Sequence, residues 1–428
     1  MSPSDQESLR IRKLVDTCLA SVLPAGTALP AEDEDWIESG LLYSMDVLEV
    51  QSCIERAANL PGLFAQAGDV PATSIRSAVE AVQRALSRPV QGSSETIGAR
   101  TFQRSGVTAI AGWGMALGSE TVPIASIEQD FHLAKGALEE RAGIETLSRA
   151  SDDQSEVSLA ALAAREAMRV AGISTQSLQW IIATSETFVG VPSFAASLHT
   201  SLLTPGTCQV LDVGGACVGL LSCLAVADAL FAAGRAESIL VASADIHSRI
   251  LVPGKVPGEF GGLFGDGASA FVLRGATHDT APASYSILTT VGSCAGTFSS
   301  ALQLRPLADG SLSLTFDGEA LARAAVDRME RIIADLETAS GKSRDQASAF
   351  AIHQPNPRLV DILIRQAKLH HETVPLVAKT RGNLGSSTCG VALCMALNAH
   401  ATKPRRERGP IFVAAVGPGM LWGGAVLD

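Results

Sequence analysis

The run Leu211-Asp212-Val213-Gly214-Gly215-Ala216-Cys217-Val218-Gly219-Leu220 decides how this chain is read. An apolar stretch, Cys208 to Val213, meets a glycine pair, and a helical pattern from Val218 to Ala233 follows and stops at Gly234. That order predicts a strand, a tight turn and a helix, with the Cys217 thiol at the helix N-terminus. Unpaired N–H groups and the positive end of the helix dipole there favour thiolate over thiol. Standing alone, a cysteine at such a junction reads equally as a buried core residue.

Two further residues sharpen the reading. His353 lies in A-I-H-Q-P-N-P and Asn383 in R-G-N-L-G-S-S, each in a strand-end or glycine-rich loop. A thiol, an imidazole and a carboxamide so placed are the parts of a nucleophilic enzyme that handles thioesters. Taken singly, His353 reads as a satisfied core histidine, and Asn383 as a turn residue or helix cap.

The bulk properties fit this chemistry. The chain has 428 residues, 46% hydrophobic and 18% charged, with 39 glycines, as expected of a packed α/β protein with more than one domain. The net charge of −11 argues against nucleic acid as the main partner. Residues 1–86 hold 13 Asp and Glu against 6 Lys and Arg, so a fifth of the chain carries −7 of that charge. The start, M-S-P-S-D-Q-E-S, has neither the basic nor the apolar region of a signal peptide. No apolar run reaches the roughly 20 residues needed to span a bilayer. The eight cysteines form no C-x-x-C pair and read as reduced thiols of a cytoplasmic protein, with no metal expected.

Periodicity divides the chain. Residues 1–86 read as a small helical unit, with helices over Glu7–Val22, Ser44–Ala58 and Thr73–Leu86. Residues 87–104 lose periodicity and read as a linker. From 105 to 428, strands at Val107–Ala111, Trp180–Thr184, Gln209–Val213, Ile239–Ala244, Ala268–Leu273, Ala349–Ile352, Ile411–Val416 and Trp422–Val426 alternate with helical stretches. The helices fall at Ser158–Ala171, Val218–Ala233, Leu321–Leu336, Arg358–Lys368 and Ser387–Ala399. Alternation predicts a layered α/β fold around a largely parallel sheet. Two duplicated halves, about 105–275 and 283–428, are expected, because Asn383 precedes a helix much as Cys217 does. Gly265-Asp266-Gly267 reads as a tight turn; it lacks a phosphate-loop lysine and precedes a strand.

Six ordered motifs carry a resemblance: E-R-A-G-I (140–144), D-V-G-G-A-C-V-G (212–219), L-F-G-D-G-A-S-A (263–270), H-Q-P-N-P-R (353–358), G-N-L-G-S-S (382–387) and G-P-G-M-L-W-G (417–423). Over about residues 105–428 the chain resembles the β-ketoacyl-acyl carrier protein synthase III family of the thiolase superfamily. The resemblance implies an αβαβα layered thiolase fold, a homodimer, and catalysis by Cys217, His353 and Asn383. Cys217 would take an acyl group from an acyl-CoA or acyl-carrier thioester. His353 and Asn383 would hold the carbonyl of a malonyl-type thioester as it loses carbon dioxide, and a Claisen condensation would give a 3-oxoacyl thioester. The backbone N–H groups of Cys217 and Gly419 would form an oxyanion hole, and Arg141, Arg358 and Asn356 would bind the donor. Either arginine could equally serve a structural ion pair. Family members that take starters from coenzyme A often carry tryptophan where this chain has Ala137, which favours a donor on a carrier protein.

Near relatives differ at single positions. Degradative thiolases have a cysteine in the last glycine-rich segment, which Val416–Gly424 lacks; elongating ketosynthases have histidine at the place of Asn383. A hydroxymethylglutaryl synthase needs a first-half glutamate, and no residue is assigned that part here. An acyltransferase on the same scaffold, moving the acyl group to an alcohol or amine, is the alternative reading, and a carrier-binding scaffold a third. The segment D-W-I-E-S-G-L-L-Y-S-M-D-V-L-E-V (35–50) is similar to the acyl carrier protein motif whose serine bears phosphopantetheine. Ser44 is the matching serine, with Tyr43 where aspartate is usual; Ser44 also suits a plain helix N-cap.

Overall fold

In the computed structural model, the described residues are 3–24, 26–60, 63–64, 72–87, 108–275, 284–296, 300–307 and 312–428. The expected linker, apart from Ser87, lies outside them. The chain divides into two compact units, one of Met1–Gly98 with Phe316–Asp327 and one of Ala99–Thr315 with Arg328–Asp428.

The first unit contains α1 (Pro3–Ala20), α2 (Ser44–Ala58) and α3 (Ile75–Ser87). Ile11, Val15 and Leu19 of α1, Val47, Val50 and Ile54 of α2, and Ile75, Ala78 and Val82 of α3 close a core around the fully buried Trp36. The main chain at Trp36 is held by its N–H on Thr73 O at 2.8 Å and by Leu42 N–H on its own carbonyl at 2.8 Å. Ser44 is the first residue of α2, and Tyr43 is its exposed N-cap. Asp46 reaches back to accept from Tyr43 N–H at 3.0 Å, satisfying a donor that would otherwise be orphaned.

The second unit runs β1 (Thr108–Leu117), β2 (Glu120–Pro123), α4 (Ile124–Asp130), α5 (Glu139–Ala142), β3 (Thr146–Arg149), α6 (Glu156–Ala171), β4 (Trp180–Thr184), α7 (Phe194–Leu202), β5 (Gln209–Asp212), α8 (Gly219–Ala232), β6 (Ser238–Ile246), α9 (Gly258–Gly261) and β7 (Asp266–Gly275). It continues through β8 (Tyr285–Cys294), β9 (Leu302–Pro306), β10 (Leu312–Phe316), α10 (Gly318–Ser340), β11 (Ala349–Ile352), α11 (Pro357–Gln366), α12 (Ala378–Arg381), α13 (Thr388–Ala401), β12 (Ile411–Gly417) and β13 (Leu421–Leu427), except that Phe316 and the start of α10, to Asp327, belong to the first unit.

Nine strands form one sheet in the order β11-β12-β13-β8-β1-β7-β6-β4-β5. It is mixed, which corrects the expectation of a largely parallel sheet. The pairs β11–β12, β4–β5 and β4–β6 are parallel, and the five pairs between β12 and β6 along that order are antiparallel. Parallel pairing needs a crossover, and helices supply it only at the two ends: α7 and α8 among β4, β5 and β6, and α11 to α13 between β11 and β12. The short Pro418–Met420 turn between β12 and β13 permits only an antiparallel return.

The sheet folds over two central helices. α8 and α13 bury Leu220, Leu224, Leu393 and Leu397 in one core with residues from strands of both ends. On one outer face α6 and α7 pack against β4, β6 and β7. α6 lies so close on β1 that a Cβ at Gly112 would sit 2.0 Å from the Ala167 carbonyl oxygen. On the other outer face, Ile332 and Leu336 of α10 press on Gly424 of β13. The layers alternate helix, sheet, helix, sheet, helix, the fold the resemblance implied. Gly265-Asp266-Gly267 is not a turn: Asp266 opens β7, and its buried carboxylate accepts from Ser248 N–H at 3.0 Å and Ala150 N–H at 2.8 Å.

Candidate active site

Polar side chains collect where parallel strands end, the usual place for a site in open α/β sheets. β5 ends at Asp212 and leads within five residues to Cys217. Cys217 sits in a 3₁₀ turn, Ala216–Val218, that runs into α8. Ala216 holds φ at +45°, a left-handed conformation that costs a non-glycine residue roughly 1–2 kcal/mol. Gly417, at the end of β12, is packed on this turn, leaving 3.2 Å between an added Cβ and Cys217 Cβ. The next turn contains Gly419 at φ +73°.

His353 follows β11 and is fixed by its N–H on Ala414 O at 2.8 Å. Burial pushes its imidazole down to about 4, so it is neutral near pH 7. Asn383 is pinned twice in the main chain: its N–H donates to Leu263 O at 2.8 Å, and its carbonyl accepts from Gly265 N–H at 2.9 Å. Its Oδ1 accepts from Gly385 N–H at 3.0 Å and from Thr388 Oγ1 at 3.1 Å. With Oδ1 committed, the amide can offer only N–H donors to a ligand. The turn Gly385–Ser387 that follows Asn383 packs against the Cys217 turn, much as α13 follows the one and α8 the other. All three residues are buried.

The sequence reading did not assign Glu186, two residues past β4, whose charge acts on both Cys217 and His353. Its Oε2 lies 3.6 Å from Nε2 of the buried His247, just past β6. Asp245, the penultimate residue of β6, ties the site together. Its Oδ1 accepts from Glu186 N–H at 2.5 Å, and its Oδ2 from Ser386 N–H at 2.8 Å and Ser386 Oγ at 2.6 Å. Burial, then the Glu186 charge, pushes Asp245 up to about 6. Glu186 is held below the usual carboxylate range, because His247 outweighs the cost of burial, and His247 is correspondingly raised. Each occupies the end of a parallel strand, which is the signal that would have found them.

The thiol does not behave as the helix-terminus argument expects. Burial first, and then the Glu186 carboxylate, push Cys217 well above the ordinary thiol range. Desolvation disfavours the anion more than the dipole of α8 favours it, so the resting group is the thiol.

The other expected residues lie apart from this cluster. Arg358, in α11, donates through Nη2 to Glu140 O at 3.4 Å, beside α5 where Arg141 is exposed. Asn356 caps α11, its Oδ1 accepting from Leu359 N–H at 2.9 Å. Cys223, Cys389 and Cys394 are buried and unbridged in the central helices. Among the described residues no cluster of His, Cys, Asp and Glu is arranged to hold a metal ion.

A helix–sheet–helix–sheet–helix fold with a buried cysteine, histidine and asparagine at strand and turn ends is that of a thiolase-like condensing enzyme. Residues 211–292 match the family described as 3-oxoacyl-[acyl-carrier-protein (ACP)] synthase III, and residues 337–428 match its C-terminal part. The chain belongs to the β-ketoacyl-acyl carrier protein synthase III family and is an acyl-thioester condensing enzyme. It is 31% identical over 298 residues to the β-ketoacyl-[acyl-carrier-protein] synthase III of Rhodospirillum centenum, covering 67% of this chain and 88% of that one. The Cereibacter sphaeroides protein of the same name is 29% identical over 327 residues, 74% of this chain and 98% of its own. The crystal structure of 3-oxoacyl-[acyl-carrier-protein] synthase III from Aquifex aeolicus superposes with a TM-score of 0.66 at 25% identity, covering 75% of this chain and 99% of that one. Such relatives are matched almost whole by three quarters of this chain.

Proposed function

We propose that Cys217 is the nucleophile that takes an acyl group from an acyl-CoA or acyl-carrier thioester. His353 and Asn383 then hold the thioester carbonyl of a malonyl-type extender, loss of carbon dioxide leaves an enolate, and its carbon attacks acyl-Cys217. The product is a 3-oxoacyl thioester. The observation that carries this reading is the pairing of a neutral His353, which offers one donor in its Nε2–H tautomer, with an Asn383 whose Oδ1 is already bonded and whose amide therefore offers N–H donors. Donors aimed at a developing enolate oxygen are worth about 10²- to 10³-fold in rate apiece. For the acylation step we assign the oxyanion hole to the N–H groups of Cys217 and Gly419, whose turns the packing of Gly417 brings together.

The first unit extends this reading. Ser44 opens α2 of a three-helix bundle, a position that suits a phosphopantetheine arm. Such an arm would raise its cargo near Cys217 to roughly millimolar effective concentration. Arg141 and Arg358 stand close enough, through Glu140, to serve one phosphate-bearing donor. Such donors place the enzyme in the cytoplasm, in polyketide- or fatty-acid-type synthesis. A homodimer is supported by β5, the last strand of the sheet, whose Val210 and Leu211 are 37% and 39% exposed.

Peptide-resolved mass spectrometry after incubation with a pantetheinyl transferase, coenzyme A and a panel of acyl-CoAs tests the assignments together. A 4′-phosphopantetheine on Ser44 and an acyl group on Cys217 are expected. An acylated Cys217 beside an unmodified Ser44 would remove the carrier assignment, and an unreactive Cys217 would remove the nucleophile. Release of labelled carbon dioxide from carboxyl-labelled malonyl thioester separates condensation from simple acyl transfer.

A further inference from the structure

The turn after Asn383 is fastened to β6 by a polar ladder inside the core. Ser243 and Asp245 lie two residues apart on β6, so their side chains leave the same face of the sheet. Ser243 Oγ is 2.8 Å from Ser269 Oγ of β7 and accepts from Ser387 Oγ at 3.1 Å. One oxygen of the Asp245 carboxylate takes both the N–H and the hydroxyl of Ser386, at 2.8 and 2.6 Å. The other takes Ser185 Oγ at 3.1 Å and Glu186 N–H at 2.5 Å, on the loop after β4. Ser243, Asp245, Ser269, Ser386 and Ser387 are all fully buried. A buried carboxylate and four buried hydroxyls are costly to desolvate, and apolar side chains of like volume would carry no such cost. Stability therefore gives no reason for the ladder, and the condensation chemistry uses none of its groups directly.

What the ladder holds is the Asn383 side chain. Asn383 Oδ1 accepts from Gly385 N–H at 3.0 Å and from Thr388 Oγ1 at 3.1 Å, and Ser386 lies in the chain between these two donors. The orientation of the amide thus follows the Gly385–Ser387 turn, and the turn sits where Asp245 and Ser243 hold it. Gly385 leaves no slack, since an added Cβ would meet Asp245 Oδ2 at 2.7 Å. We infer that Asp245 is a positioning residue of the decarboxylation step: by fastening Ser386 it aims the Asn383 amide N–H at the thioester carbonyl of the extender. Fully buried, it touches no substrate and acts through Asn383. The inference rests on the reading of Asn383 as a donor to the enolate oxygen.

The test is a double-mutant cycle in the full chain, with the enzyme first acylated on Cys217 by acetyl-CoA. The readout is labelled carbon dioxide released from carboxyl-labelled malonyl-CoA and malonyl-acyl carrier protein. Asp245→Ala should slow release about 10²-fold, the cost of a group misplaced by about 1 Å. Asp245→Asn should fall in between, because its amide keeps one acceptor oxygen. In the Asn383→Ala background, Asp245→Ala should cost less than about threefold more, since the side chain being aimed is gone. A merely structural Asp245 would slow both backgrounds by equal factors, and that result overturns the inference. Release at the wild-type rate from Asp245→Ala overturns it too, as does a folded Asp245→Ala that no longer loads Cys217, which would put the residue in acylation. Should Asp245→Ala fail to fold by circular dichroism, Ser386→Ala, which removes one of the two bonds to the turn, carries the same cycle. It should cost about tenfold alone and less than about threefold beside Asn383→Ala, and equal factors or no loss overturn the inference. A wild type that loads Cys217 but releases no carbon dioxide, or an Asn383→Ala that releases it at the wild-type rate, removes the underlying reading itself, which separates the two failures.

Discussion

Replacing His353 with glutamine should make the protein less sensitive to mild acid. An unfolded histidine titrates near 6.5, whereas His353 in the fold titrates near 4 because burial penalises its charged form. The folded pKa is depressed, so the contribution to stability is complete above about pH 6.5 and is lost as pH falls toward 4. At one pKa unit per 1.36 kcal/mol, the loss reaches about 2 kcal/mol by pH 5 and about 3 kcal/mol near pH 4. Asp245 works in the opposite sense, since its folded pKa is raised to about 6 and its ionisation costs stability as pH rises through that value. Both proteins carry Asp245, so the comparison isolates His353. Urea unfolding at pH 7, 6, 5 and 4.5, followed by tryptophan fluorescence, gives the two curves; three of the four tryptophans, Trp113, Trp180 and Trp422, lie in the second unit. The difference between wild type and His353→Gln should change by about 2 kcal/mol between pH 7 and pH 5. Parallel curves would show that His353 is not buried in its neutral form, and the donor role built on that state would fall with it.

Asn383→Ala should leave acyl loading of Cys217 intact and slow carbon dioxide release about 10²- to 10³-fold, read from labelled malonyl thioester. Gly385→Ala places a Cβ 2.4 Å from His247 Cε1 and 2.7 Å from Asp245 Oδ2 at φ +57°. It should lower stability by about 1–3 kcal/mol in thermal melting and slow loading along with it. Leu211→Lys on the exposed edge of β5 should shift the protein to monomer in light scattering; an unchanged mass would move the interface elsewhere.

What the sequence discloses depends on how local each signal is. The Cys217 strand–turn–helix and α2 are short-range patterns, and β4 and β11 lie where the apolar runs place them. β8 escapes because Tyr285, Ile287, Thr289 and Val291 alternate inward with a threonine among them, which blurs the apolar period. Sheet direction escapes because it follows from where crossovers run. Glu186 and His247 are harder still. Neither sits in a motif, and each becomes visible only when β4 and β6 are known to be parallel neighbours ending on the same side. The state of the Cys217 thiol is hidden for the same reason, since the helix dipole is a local feature and the burial and charge that outweigh it come from other segments.

The spread of these residues has a consequence for folding. Cys217, Glu186, Asp245, His353, Asn383 and Gly417 arrive on six separate stretches, and Gly385 must seat under His247 from a distant part of the chain. No early, locally formed intermediate can hold the site, because closure of long loops comes late and slowly in such topologies. Recovery of acyl loading during refolding should therefore lag behind recovery of helical signal and coincide with the last step of sheet assembly. A nascent chain is thus chemically silent toward thioesters until both ends of the sheet have met.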